Sequence, residues 1–312
     1  MSPPESQALG ASAGEHSGDP VRVSVIVPVY NRAAFVTEAL ASALEQECPG
    51  GMEVVVVDDG STDETPTVLA ELAARHPELR ILRQANSGPA HARNLAMRAA
   101  RGEFLALLDS DDIWLPGKLA SQVALLDAQP DAAFAHSDVD EFWETGDGEW
   151  TRRPEIVSGH ALRALLRRNV IHTMTVMLRR SVIEEVGGFD AEFPPCEDWD
   201  LWLRIAATHP IVGDPERRVR VRLHEGGISS NPLVVARQAT RLLDTAATRL
   251  ADARHADAGF ARRQAARWFV KYGRRLARDG DVKAASAAFD RAAALHPLGR
   301  LDALRARLFP KR

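Results

Sequence analysis

The chain has 312 residues, 45% of them apolar and 26% charged, with a net charge of −4. That is long enough to bury a full core and carry an appendage, in the ordinary composition range of a globular protein. Cys48 and Cys196 stand far apart and give no disulfide framework. No apolar run approaches the roughly 18 residues that span a bilayer, and the first 20 residues lack the apolar core of a signal peptide, so the expected location is the cytoplasm. The charge is uneven. Phe260–Arg312 holds 14 Lys and Arg against 4 Asp and Glu, a net of +10, which leaves −14 for residues 1–259. A basic end of this kind faces nucleic acid, anionic lipid or plain solvent.

Residues 1–20, rich in Ser, Gly, Pro and Glu, read as a disordered leader. VRVSVIVPVY from Val21 is β-branched and predicts a buried strand whose ladder Pro28 breaks, with Asn31 as the cap of a helix carrying Phe35, Ala39, Leu40 and Leu44. MEVVVVDDGSTDET predicts a second strand, buried on both faces and so parallel and central, turning at Asp58–Ser61. Thr62 or Asp63 then caps a helix with Val68, Leu69 and Leu72 inward. A short strand at Arg80–Arg83 and a Gly-Pro helix start in NSGPAHARNLAMRAARG follow, the helix ending near Gly102.

FLALLDSDDIWLPGKL, Phe104–Leu119, is the most informative stretch. An apolar strand ends in three carboxylates within four positions, Asp109, Asp111 and Asp112, before a Pro-started helix at Pro116–Ala128. Carboxylates crowded at the mouth of a sheet repel unless a cation joins them, and a hard divalent ion with oxygen ligands is the simplest one. The β-α-β-α-β-α-β order predicts a doubly wound, mostly parallel sheet with helices on both faces, whose ligands sit beyond the carboxyl ends of the strands. Tyr30–Arg32, Asp58–Ser61, Asn86–Gly88 and Asp109–Asp112 should therefore converge on one rim.

Farther on, AAFAHSDVDEF predicts a fifth strand, Glu144–Arg153 a surface loop, Ser158–Arg168 a helix and His172–Arg180 a strand. GGFDAEFPPCEDWDLWLRIA leads into a helix near Glu197 with Trp199, Leu203 and Ala206 inward, and VRVRLHEGGISS, Val219–Ser230, predicts another strand. Residues 233–312 read as helical. Within them Phe260–Pro297 resembles a single tetratricopeptide unit, which cannot bury both its faces and should dock on the body or on a second copy. The domain reading is thus a leader over 1–20, an α/β domain over 21–232 and a helical region over 233–312.

No GxGxxG follows a strand, and no P-loop, zinc spacing or G-x-S-x-G is present. Over about Val21–Ser230 the chain resembles the family-2 inverting glycosyltransferases of the GT-A fold. The resemblance is carried by VSVIVPVYNR, VVVVDDGSTDET, NSGPAHARNLAMRAARGEFLALLDSDD with WLPGKL, and GGFDAEFPPCEDWDLWLR, in that order.

The resemblance implies a nucleotide-diphosphate-sugar donor, a carbohydrate or lipid-linked acceptor and a divalent metal, Mn2+ or Mg2+, acting in surface polysaccharide or glycoconjugate synthesis. It implies Asp111 and Asp109 as metal ligands, with Asp109 also near the ribose, and Asp59 as the acceptor of a base N–H. Pro28, Tyr30 and Asn31 would line the base and ribose pocket. Arg93 is either a phosphate or base contact or part of a solvated helix face. Asp198 is the implied general base, while the structural alternative is that Glu197, Asp198 and Asp200 only complement a helix N-terminus. His224 is either a further metal contact or an ordinary strand-end histidine. Trp199 and Trp202 either stack on an acceptor sugar or belong to the core, and Trp114 is placed to close the donor pocket. A nucleotidyltransferase and a catalytically silent binding module are the competing readings. No nucleic-acid partner is expected. The basic tail is a candidate for peripheral contact with the inner face of a membrane, or for homodimerisation.

Overall fold

The structure, a computed structural model, describes residues 21–143, 149–150, 155–223 and 231–297. They fall into two compact units, one drawn from within Met1–Gly159, Val170–Ala191 and His209–His224, the other from within His160–Asn169, Glu192–Thr208 and Glu225–Arg312.

In the first unit the apolar runs form strands β1 (Val23–Val29), β2 (Met52–Asp58), β3 (Leu79–Arg83) and β4 (Phe104–Leu107), paired parallel in the order β3-β2-β1-β4. Helices α1 (Val36–Leu44), α2 (Thr65–Arg75) and α3 (Pro89–Ala99) connect them, as the alternation of strand and helix signals requires. The sheet continues through β8 (Met177–Arg179), β6 (Phe134–Trp143), β9 (Val212–Leu223) and β5 (Ile113–Trp114), with β7 (Glu149–Trp150) on β6. β6 and β9 pair parallel, whereas the short strands β5, β7 and β8 all pair antiparallel. The expected mixed, mostly parallel sheet therefore forms. Helices α4 (Lys118–Ala128) and α6 (Arg180–Val186) complete this unit.

Several local expectations are corrected. Pro28 does not break the ladder: β1 runs on to Val29 with Pro28 opposite Val57, because β4 pairs with β1 only as far as Ile26 and leaves the proline an open side. Asn31 is not a helix cap. Helix α1 starts at Val36, and Asn31 takes a left-handed conformation (φ 51°) that its short polar side chain tolerates. His172–Arg180 is mostly not strand, since Thr173–Thr175 forms a 3-10 turn closed by the Thr175 hydroxyl on the His172 carbonyl, and only Met177–Arg179 pairs. Glu144–Arg153 lies largely outside the described residues, and Glu149–Trp150 within it is a strand rather than loop.

The second unit is helical: α5 (Leu162–Arg167), α7 (Glu197–Ala206), α8 (Pro232–Asp252), α9 (Ala258–Arg278) and α10 (Val282–Leu295). Asn231 caps α8 by accepting from the backbone of Leu233 and Val234, with Pro232 at the first helical position. Helix α9 packs between α8 and α10. At its contact with α10 a Cβ on Gly273 would lie 2.6 Å from the Phe289 ring, so the absence of a side chain sets how closely the two helices approach.

The core of the first unit holds one charged group of note. Lys118 is fully buried at the start of α4, its ammonium donating to Gln122 Oε1 (2.8 Å) and lying 4.1 Å from the centre of the Trp114 ring. Gln122 in turn donates to the Thr175 carbonyl and the Trp114 indole to that of Met174, tying α4 and β5 to the 3-10 turn. Burial drives the Lys118 pKa well below the ordinary lysine range, against the raising effect of Asp214. Unfolding lets Lys118 bind a proton that the folded chain resists, so its burial cost is relieved as pH rises towards about 10.4. The stability of the native chain relative to a Lys118→Met variant should therefore increase with pH across the alkaline range up to about that value, measured by urea denaturation at stepped pH.

Candidate active site

The carboxyl ends of the parallel strands are held by side-chain acceptors. Asp58 and Asp59 end β2, and both are buried. Asp58 Oδ1 accepts from the Ser61 backbone (2.8 Å), and its other oxygen lies 3.3 Å from Arg83 Nε. Asp59 reaches across to the segment after β3. Its Oδ1 accepts from Gln84 Nε2 (2.7 Å) and the Ser87 N–H (2.9 Å), and its Oδ2 from the Gly88 N–H (2.8 Å). The two turns press together so closely that a Cβ on Gly60, which sits at φ 75°, would stand 2.8 Å from the Asn86 backbone nitrogen. Asn31 Oδ1 accepts from the Thr62 N–H (2.8 Å) and its own N–H donates to Ser61 Oγ (3.0 Å), which ties the end of β1 to the same turn. Pro28 is buried within β1, whereas Tyr30, just past its end, is 43% exposed.

The acidic turn after β4 meets arginines from three directions. Arg93 of α3 donates from Nη2 to Asp109 Oδ1 (2.7 Å), with its guanidinium 5.3 Å from the centre of the Phe189 ring. Arg32 donates from Nε to Asp111 Oδ2 (3.0 Å). The Arg222 backbone N–H donates to Asp112 Oδ1 (2.8 Å) and its Nε to the Asp111 carbonyl (3.0 Å). Asp112 is buried, which pushes its pKa well up, and the charges of Asp109 and Asp111 push it further against the opposing effects of Arg222. Asp112 is thus an anchor between the turn and β9 that favours its neutral form. The side chains of Asp109 and Asp111 remain 22% and 19% exposed.

Asp109 and Asp111 suit a hard divalent cation: both are oxygen donors, both keep open surface, and they sit two residues apart on one turn. Among the described residues no three His, Cys, Asp or Glu groups converge on a common metal position. A two-carboxylate set fits an ion that draws its remaining oxygens from water and from phosphates.

In the second unit, three acids occupy the first turn of α7 and meet different surroundings. Asp200 is buried between Arg204 Nε and Arg249 Nη1, each at 2.7 Å, and Glu197 is buried as well. Asp198 is half-buried, its Oδ2 accepting from Asn169 Nδ2 (3.0 Å) and its Oδ1 from the Trp199 N–H (2.6 Å). Burial first, then Asp198 and Glu197, pushes the neighbouring Cys196 thiol up to about 12. His224 lies outside the described residues.

Of the two readings left open for Trp199 and Trp202 the structure takes the core one, and Trp114, placed by the sequence to close the donor pocket, is core as well. Trp114 is buried with its indole on the Met174 carbonyl, Trp199 is buried with its indole on that of Leu165, and Trp202 is fully buried. An indole that finds a backbone carbonyl inside satisfies its only donor and gains from complete burial. Conversely, Gln84 and Arg222 escaped the sequence analysis, which placed Arg32 on the rim without its carboxylate partner. The arginines alternating in RRVRVRL of β9 were the available signal for Arg222, because period-2 spacing puts Arg218, Arg220 and Arg222 on one face.

Comparison with known proteins bears on this arrangement. The family model described as Glycosyl transferase family 2 matches residues 24–187. An uncharacterized protein of Mycobacterium bovis is 36% identical over 216 residues, 66% of this chain and 60% of that protein. The succinoglycan biosynthesis protein ExoU of Rhizobium meliloti is 32% identical over 203 residues, 61% of this chain and 58% of that protein. These matches thus span about three-fifths of those relatives' length. Among solved structures, TarS of S. aureus in complex with UDP-GlcNAc superimposes with a TM-score of 0.70 at 21% identity, covering 93% of this chain and 88% of that one. The mannosyltransferase PcManGT of Pyrobaculum calidifontis, in complex with GDP-Man and Mn2+, does so with a TM-score of 0.59 at 25% identity, covering 94% and 90%.

Two substitutions separate the roles of the acids. Asp112→Asn keeps an acceptor for the Arg222 N–H and cannot ionise where burial disfavours the charge, so the melting temperature at neutral pH should not fall. Asp59→Asn turns an amide NH2 towards existing donors and should cost about 1–3 kcal/mol in urea denaturation.

Proposed function

The chain belongs to glycosyl transferase family 2, and on that premise we propose that it transfers a sugar from a nucleotide-diphosphate-sugar donor to an acceptor hydroxyl with inversion, aided by a divalent cation. The observation that carries the reading is the acidic turn, where Asp109 and Asp111 keep part-exposed carboxylates beside Arg93 and Arg32. Support comes from PcManGT, solved with GDP-Man and Mn2+, and from TarS, solved with UDP-GlcNAc. The name of ExoU supports polysaccharide or glycoconjugate synthesis as the setting. The acceptor is a carbohydrate or a lipid-linked sugar.

On this reading Tyr30 offers an exposed ring, and Pro28 and Asn31 fix the backbone beside it, for a base and ribose. Asp59 uses three of its roughly four acceptor positions on Gln84, Ser87 and Gly88 and keeps one on Oδ2 for a base N–H. Asp109 and Asp111 are the residues that would hold a cation. Such an ion, when bound, supplies positive charge that stabilises a departing diphosphate. Arg32 and Arg93 are the chain's own cations at that place.

The acceptor oxygen attacks the anomeric carbon opposite the nucleotide, the bond to the diphosphate oxygen breaks with its electron pair leaving on the nucleotide, and the hydroxyl proton passes to Asp198. A carboxylate is a weak base, but the alcohol becomes acidic as the new bond forms, so transfer late in the step suffices. Of the acids in the first turn of α7, Glu197 and Asp200 are buried, and Asp198 keeps exposed surface.

A thermal-shift screen of nucleotide sugars with and without manganese should identify a donor by a raised melting temperature. With that donor, Asp198→Asn should leave the shift intact and lower turnover by about 10²–10⁴-fold. Asp111→Asn should reduce the manganese-dependent part of the shift and lower turnover by about 10²–10³-fold. Unchanged turnover in either variant overturns the role assigned to that residue.

A further inference from the structure

Helix α9, AGFARRQAARWFVKYGRRLAR, contains seven basic residues and no acidic one. At 100° per residue, Arg263, Arg267, Lys271, Arg274 and Arg278 fall within a sector of about 80°, a stripe along a helix about 31 Å long. The other sectors carry the residues that pack inward, among them Ala261, Ala265, Val270, Gly273 and Leu276. Arg267, Lys271 and Arg278 are exposed, and Arg263 and Arg274 are half-buried. Among the described residues, Arg263, Arg267, Lys271 and Arg274 form no ion pair with a carboxylate, and the buried Nε atoms of Arg263 and Arg274 meet no acceptor. Like charges three or four residues apart on a helix repel, and an anionic partner would relieve that repulsion among Arg263, Arg267, Lys271 and Arg274.

We propose that this stripe is a docking surface for an anionic lipid bilayer, which the chain meets peripherally along α9. The stripe is straight and one-sided, so it can lie against a plane along its whole length, whereas the phosphates of a duplex curve away from a straight row. No helix among the described residues is long and apolar enough to cross a membrane, and the one apolar side chain in the stripe's sector, Phe260, is half-buried with the guanidinium groups of Arg163 and Arg167 over its ring, so attachment is electrostatic. Residues 1–259 carry the net −14 of the chain. Phe260–Arg312 carries the opposing +10, so an anionic surface is attracted to this end of the sequence. The inference adds a membrane partner to the proposed transfer reaction without depending on it, because docking is read without any sugar present.

The test is co-sedimentation of the full chain with phosphatidylcholine vesicles containing or lacking phosphatidylglycerol. Each cation near an anionic surface strengthens binding about fivefold. The native chain should bind only the anionic vesicles and release at high salt. The variant Arg267→Gln, Lys271→Gln, Arg278→Gln should bind about 100-fold more weakly with an unchanged melting temperature. A control with three exposed cations removed elsewhere, Arg75→Gln, Arg98→Gln, Arg254→Gln, should bind like the native chain. Absence of native binding, equal loss in the control, retention in the stripe variant, or preference for duplex nucleic acid over vesicles at equal phosphate concentration would each overturn the proposal.

Discussion

Like charges crowded into one turn need cations from elsewhere, and here they arrive from three distant parts of the first unit. Asp109 takes Arg93 from α3, Asp111 takes Arg32 from the segment after β1, and Asp112 takes the backbone of Arg222 from β9. None of these partners is local, so the turn can hold its shape only when the strands that carry them are already side by side. The compensation is also graded. Asp112, the most buried of the three, receives a backbone donor and is driven towards its neutral form, while the two part-exposed acids each receive a guanidinium. Burial thus sorts three chemically identical side chains into one structural anchor and two part-exposed carboxylates paired with guanidinium groups.

The neighbouring rim is stabilised in the same manner, by side chains standing in for secondary structure. Parallel strands leave their carboxyl ends without a regular partner, and the loops that follow carry backbone N–H groups that must be satisfied. Asp59 supplies acceptors to the Gln84–Gly88 segment and Asn31 to the Thr62 backbone, so loops after three different strands share one hydrogen-bonded net. This net fixes the backbone at the rim, and Tyr30 projects from it with an exposed ring.

What could be read from the sequence follows from whether the signal was local. The valine run of β2, the Gly-Pro start of α3 and the acid-terminated β4 declare themselves by residue type, because burial and turn chemistry act on neighbours. The antiparallel β8 did not, since three paired residues after a 3-10 turn carry too little periodicity to separate them from the rest of His172–Arg180. The Arg32 and Arg222 pairings were hidden for a different reason: each joins residues 79 or more positions apart, and one sequence holds no trace of which arginine meets which carboxylate. The three tryptophans show the limit of composition. An indole beside an acidic motif looks like a stacking platform until it is seen to be buried, with the N–H groups of Trp114 and Trp199 ending on backbone carbonyls.

The second unit applies the same physics to the placement of arginine. At the start of α7, Asp200 is held by Arg204 and Arg249. A carboxylate held by two guanidinium groups is fixed in position by charge-assisted hydrogen bonds. Asp198, two residues earlier, takes an amide from Asn169 and keeps part of its surface open. An amide orients a carboxylate without placing a full charge beside it, so two acids two residues apart on one helix turn meet different surroundings. Where arginines close on acids the chain gains structure. Where acids are absent, as along α9, Arg263, Arg267 and Arg274 form no ion pair with a carboxylate among the described residues.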